Sequence, residues 1–263
     1  MRALKLTIAY DGTRYAGWQV QEASNQKPAV RGQKSLKPTV QGTLEGVLRR
    51  ILQEPVRVVG SGRTDAGVHA AAQVAHVRTR SGMPRERLLR SLNQLLPPDL
   101  AVSRIDDVDA AFHARFHAVR KRYRYRLATG PVVPPFIRPY VHHVRAPLDV
   151  ARMRREAAAL KGRHDFRAFA RGGSLADGRS AVRTIADIAL RRRGDELHLD
   201  IEGNGFLHTM VRTIAGTLVD VGRGRLPPGT VRRMLRTGDR RLAGTVAPAQ
   251  GLTLRAVVYP QGH

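Results

Sequence analysis

Two hydrophobic periodicities alternate along this chain, and that alternation limits its fold more than any other feature. Residues 3–11 place Leu4, Leu6, Ile8 and Tyr10 at every second position, the pattern of a strand with one buried face. Residues 39–52 then carry a helical stripe of Val40, Leu44, Val47, Leu48 and Ile51, with Thr39 as its cap. Strands are expected at 56–59 and 74–77, a helix over 84–95 with Pro84 in its first turn, and strands at 100–108 and 123–128. Residues 130–139 hold four prolines and read as a linker or crossover. Beyond them Asp149 caps a helix with Val150, Met153, Ala157 and Leu160 on one face. Strands at 182–191 and 196–201, helices at 207–221 and 228–236, and a strand at 252–259 complete the pattern. Strands and helices mixed in both halves predict an α+β fold. Two similar subdomains are expected, 1–130 and 131–263, each an antiparallel sheet with helices on one face.

The chain has 263 residues, enough for one large core or two modest ones. No apolar run approaches the ~20 residues that cross a bilayer. No signal peptide is read before the first strand pattern. The absence of cysteine excludes disulfides, thiolate metal sites and catalytic thiols, and an intracellular, cytoplasmic protein is expected. Charge is the strongest bulk signal: 46 Lys and Arg against 21 Asp and Glu, a net +25. Only six of the 46 are lysine. Arginine forks grip phosphate and stack on bases, so a nucleic-acid partner is expected. A GC-rich genome would raise Arg over Lys but does not explain the shortage of acids. Membrane binding fits less well, for no basic amphipathic segment carries a Trp- or Phe-rich face. The Arg-rich stretches 120–126 and 191–193 read either as RNA tracks or as solvated faces. Residues 21–38, polar and aperiodic, carry Lys27, Arg31, Lys34 and Lys37 against Glu22 alone. They read as a loop, either a basic arm on RNA or a passive insertion.

The most informative stretch is GSGRTDAGVHA, residues 60–70. Its glycines permit close backbone approach and positive φ. A P-loop needs Lys-Ser/Thr after its second glycine, but Val68 and His69 follow Gly67. A dinucleotide fingerprint needs glycine where Asp65 stands, and a helix after it. With both excluded, an acid beside an arginine remains. In an extended segment Arg63 and Asp65 point the same way. A nearby arginine keeps a carboxylate ionised, and an ionised, partly desolvated Asp serves as nucleophile or base. The same residues also suit an Asx-turn held by a salt bridge, and spacing alone leaves both readings open. The histidines at 113, 117, 142 and 143 lack metal-ligand spacing.

The segment GRTDAGVHA after a short strand resembles the signature of the tRNA pseudouridine synthase A family. Further stretches are similar in order: Tyr10–Asp11–Gly12 with Tyr15 and Gly17–Trp18–Gln19; Phe112–His113–Ala114–Arg115–Phe116; Arg122–Tyr123–Arg124–Tyr125; Asn204 with Phe206–Leu207–His208 and Met210–Val211–Arg212; Ala247–Pro248–Ala249 with Gly251–Leu252. The likeness covers nearly the whole chain. Thr209 and Thr213 depart from the family's His and Asn, and residues 21–38 are longer than its pattern. The resemblance implies isomerisation of uridine to pseudouridine at tRNA nucleotides 38, 39 and 40. It also implies a homodimer, an active-site cleft between the two halves, and no cofactor or metal. It assigns Asp65 as the catalytic carboxylate supported by Arg63, and Tyr123 as the residue that stacks on a flipped base. His208 and Arg212, four apart, are expected on one face of the 207–221 helix, with Arg212 reaching the carboxylate or a phosphate.

Overall fold

The computed structural model describes residues 1–20, 37–171 and 180–260. The expected 21–38 loop therefore lies outside the described residues, except for Lys37 and Pro38. The fold is α+β, and the chain divides into two compact units, residues 1–118 with 259–263, and residues 119–258. The strand that carries Tyr123, expected in the first half, belongs to the second unit.

In the first unit β1 (Arg2–Tyr10) is followed by α1 (Val40–Leu52), β2 (Val59–Gly60), β3 (His69–Thr79), α2 (Arg85–Leu95) and β4 (Leu100–Val108). β1 is the middle strand, antiparallel to β3 on one side and β4 on the other. Its alternation sends Leu4, Leu6, Ile8 and Tyr10 to the core, all fully or nearly fully buried. Thr39 caps α1 as expected, its Oγ1 accepting the Gly42 N–H at 3.2 Å. The helix buries Val40, Leu44, Leu48 and Leu52. α2 buries Leu88 and Leu92 and packs on α1 and β4. The strand expected at 56–59 is shorter and later, Val59–Gly60 alone pairing with β3. Val56 and Val58 are buried without joining the sheet, which is why they give a strand-like pattern.

The second unit begins with β5 (Arg120–Ala128), β6 (His142–His143), α3 (Val150–Ala158), β7 (Gly162–Asp165), β8 (Val182–Arg193) and β9 (Glu196–Gly203). It ends with α4 (Met210–Gly222), α5 (Thr230–Thr237) and β10 (Leu252–Val258). Its strand order is β10-β5-β9-β8-β7, antiparallel throughout, with β6 parallel to β5. The proline-rich stretch 130–139 is the crossover between β5 and β6, pinned by Val133 packing with Ala128 and Val141. β8 and β9 form a hairpin that turns at Gly194, whose φ of +56 suits glycine. The polar edge strand β7 has no apolar alternation and so gives no strand signal in the sequence.

α4 differs from expectation in two ways. It starts at Met210, because Thr209 sits in the left-handed region at φ 62. It is also buried on nearly every side. The segment 244–247 lies along it: Arg212 Nε donates to Ala247 O at 2.9 Å, the Gly244 N–H to Thr217 Oγ1 at 3.1 Å, and the Thr245 N–H to Asp220 Oδ2 at 2.9 Å. Gly216 makes this approach possible, since a Cβ there would stand 1.7 Å from Thr245 O. Residues at helical spacing thus form one docking strip.

Candidate active site

Asp65 lies on the turn between β2 and β3, and the neighbouring residues fix that turn. Thr64 is buried while Arg63 is exposed and Asp65 half-buried, the alternation of an extended segment with one side chain driven inward. Thr64 Oγ1 hydrogen-bonds Tyr10 OH at 2.8 Å, and Thr64 O accepts the Trp18 N–H at 3.1 Å. Burial pushes the Tyr10 phenol up to about 12, so it stays neutral in this bond. After Asp65 the chain reverses: the Val68 N–H donates to Asp65 O at 3.1 Å, with Gly67 at φ 78. The Gly12 N–H donates to His69 Nδ1 at 3.1 Å. Only glycine fits at position 12, where a Cβ would stand 2.1 Å from Val68 O.

Sequence reasoning missed Gln73, the third support. Fully buried on β3, it accepts from Ser61 Oγ at 2.7 Å and from the Val74 N–H at 3.1 Å, and donates to Gly62 O at 3.0 Å. Its signal was a lone amide amid Ala70–Ala75. Truncating Gln73 to Ala removes these three hydrogen bonds, and a loss of about 2–4 kcal/mol in chemical denaturation is expected. Because the loop also loosens, turnover should drop by up to about 100-fold in the same protein while it remains folded.

Arg63 forms no ion pair with Asp65. The pairing read from their spacing is not made, and Arg63 is exposed.

His76, also on β3, is buried beneath residues 112–117. Its Nδ1 accepts the Ala114 N–H at 3.1 Å, and its ring lies 4.9 Å from His113 and edge-on to Phe112 at 6.1 Å. Burial first, then the charges of His113, Arg78 and His117, lower it to about 4. The unfolded chain then binds the extra proton between about pH 6.5 and 4. Stability contributed by neutral His76 is complete above that window and falls as pH drops through it, by about 3 kcal/mol. His76→Asn keeps an acceptor for Ala114 but does not titrate. The difference between wild-type and variant stability should therefore slope with pH only inside this window, as read by urea melts from pH 7.5 to 4.

The remaining predicted site residues lie in the second unit. Tyr123 is buried on β5, between Leu254 of β10 and Ile201 of β9. Its ring meets Phe206 edge-on, centroids 5.2 Å apart. Gly203 admits that ring: a Cβ there would stand 3.2 Å from Phe206 Cζ and 2.8 Å from Thr184 O. Two residues along β5, Tyr125 OH donates to Pro248 O at 2.8 Å. Arg212 stands in the first turn of α4, tied to Ala247. His208 does not share a helix face with it. It is exposed and precedes the helix, because Thr209 breaks the α-conformation, and its carbonyl accepts the Arg171 N–H.

The β5 arginines are matched by acids on β9. Glu202 bonds Arg120 and Arg122; Asp200 bonds Arg124 through two nitrogens and also Arg191; Glu196 bonds Arg126 and His198. Arg126 and His198 hold Glu196 down at about 2. These side chains form a cross-strand ladder.

Comparison with known proteins places this geometry. The family model described as tRNA pseudouridine synthase matches residues 6–117 and 157–260. Those spans contain Arg63, Asp65, Gln73, Phe206, His208 and Arg212, while Tyr123 falls in the gap. Proteins named tRNA pseudouridine synthase A are similar along nearly the whole chain. The one from Brevibacillus brevis is 42% identical over 98% of this chain and 100% of its own length. The one from Moorella thermoacetica is 44% identical with the same coverage, and that from Halalkalibacterium halodurans 45% over 96% of this chain and 90% of its own. A solved Cbf5-Nop10-Gar1 complex is similar over 81% of this chain and 44% of that chain at a TM-score of 0.36 and 11% identity, too remote to bear on the site. With relatives of this identity aligned end to end around the braced Asp65 turn, the chain belongs to the tRNA pseudouridine synthase family.

Proposed function

We propose that this chain isomerises uridine to pseudouridine in tRNA, at nucleotides 38, 39 and 40 of the anticodon arm. The observation that carries the reading is Asp65 itself: a half-buried carboxylate on a turn held by Tyr10, Trp18 and Gln73, inside a span the family model matches. The reaction breaks the N-glycosidic bond, turns the base and rejoins it through carbon. Asp65 either attacks the ribose or removes a ribose proton, and either route needs an ionised carboxylate held still. The uridine leaves its stack to reach it. Tyr123, with Phe206 at its edge, offers the aromatic surface for that base, and exposed Arg63 fills the space the base vacates. Arg212 contacts a phosphate or the catalytic carboxylate. The protein works as a homodimer in the cytoplasm; among the described residues no helix is long and apolar enough to cross a membrane.

The test is incubation with unmodified tRNA followed by pseudouridine mapping at each nucleotide. Modification confined to 38–40 is the expected result. Pseudouridine only elsewhere would reassign the target, and none at all would remove the activity.

A further inference from the structure

Arg183 has a setting unlike that of the paired β5 arginines. It lies near the start of β8 with its stem against Gly205, where a Cβ would stand 3.6 Å from Arg183 Cδ and Nε. Nη1 donates to Ser180 O and Val182 O, each at 2.7 Å, both neutral and both within three residues in sequence. The side chain therefore ties no distant segments together. It makes no ion pair among the described residues, and burial alone lowers its pKa. Arg240 is likewise desolvated without a carboxylate among the described residues, but its Nη1 spans Ala168 O and Thr213 Oγ1 and so joins separate segments.

Nη1 is occupied, while Nε and Nη2 meet no protein acceptor among the described residues. Those two nitrogens form the side-on edge of a guanidinium, the edge that takes two oxygens of one phosphate. A partly dehydrated cation with that edge open gains most from an anion. The surrounding chain holds it in place. The Thr184 N–H donates to Asn204 Oδ1 at 2.9 Å, and the Asn204 N–H donates to Thr184 O at 3.1 Å. This pair of hydrogen bonds staples the 203–206 turn to β8, so Arg183 is fixed beside the residue that precedes Phe206. Phe206 in turn meets Tyr123.

We infer that Arg183 is a phosphate-binding residue that grips the RNA backbone next to the nucleotide held at Tyr123 and Phe206. The inference rests on the reading of Tyr123 as the base-stacking residue. It is tested with Arg183→Gln, Arg183→Lys and a charge-matched control, Arg104→Gln, whose arginine pairs with Asp106 at 2.7 Å. Binding of unmodified tRNA is measured across a salt series, together with steady-state pseudouridine formation and thermal stability. Arg183→Gln should weaken binding about tenfold at low salt. It should also flatten the slope of log K against log salt by about 0.7–0.9. The loss should show in KM, with kcat at saturating tRNA little changed. Arg183→Lys should restore the slope but only part of the affinity, keeping charge without the fork. Arg104→Gln should leave the slope at its wild-type value.

A wild-type slope in Arg183→Gln overturns the inference, whether or not stability drops. So does an equal change in the Arg104→Gln control, which would make the effect one of net charge. If wild type turns tRNA over normally while Arg183→Gln binds like it, this inference alone fails. If wild type forms no pseudouridine, the reading of the site fails and this inference with it.

Discussion

Replacing Asp65 with Asn should abolish pseudouridine formation while leaving both the fold and tRNA binding in place. The substitution keeps the side chain's shape and removes its charge. The supports of the turn run through Thr64, Trp18, Gly62 and Gln73, so stability should change by less than about 1 kcal/mol. Losing a nucleophile or general base from a preorganised site costs at least about 10³-fold in turnover. Single-turnover assays with saturating enzyme read that step without interference from binding. Yield near the wild-type level would remove Asp65 from the chemistry. A large drop in denaturation midpoint with weakened binding would make it a structural residue of the turn instead. Asp65→Glu separates the two further: it restores charge but moves the carboxylate by one methylene, and an enzyme dependent on position should remain strongly impaired.

Patterns that depend on neighbours in sequence are legible in the residues themselves, and those that depend on distant packing are not. β1 and the Thr39 cap of α1 are readable because strand alternation and capping are local. The turn that carries Asp65 is readable because its glycines and Asp65 are contiguous. The start of α4 is not. Leu207 fits the 3.6-residue stripe of the helix, and nothing local says that Thr209 adopts a left-handed conformation. That one residue removes His208 from the face assigned to it. Arg212 reads from the sequence as a cation reaching the carboxylate or a phosphate, and nothing local says that the 244–247 segment lies along that side of α4. The acids that match the β5 arginines are about 70 to 80 residues away in sequence, and only the β5–β9 register brings them across. The arginines of 120–126, which read either as an RNA track or as a solvated face, are thus joined in a cross-strand ion-pair ladder, whereas Arg183, one arginine among 40, gives no sequence signal at all.

Tyr123 carries the second large expected effect, and two substitutions divide its roles. Tyr123→Phe keeps the aromatic face and its contact with Phe206 and removes only the hydroxyl, so turnover should stay within a few-fold of wild type. Tyr123→Ala removes the ring. Base–aromatic stacking is worth about 1–3 kcal/mol, which corresponds to a loss of roughly 5- to 150-fold in kcat/KM. The ring is also core: it is 9% exposed and packed between Leu254 and Ile201, so its removal should destabilise the second unit by about 3–5 kcal/mol. The two losses are separable because stability is lost for every substrate and condition, whereas stacking is lost only where a base is present. Tyr123→Leu fills most of the cavity without a π-face. If stacking is the functional role, Leu should recover much of the stability but little of the turnover, and Phe should recover both. Leu matching Phe in kcat/KM would reduce Tyr123 to a packing residue and leave the flipped base to another surface.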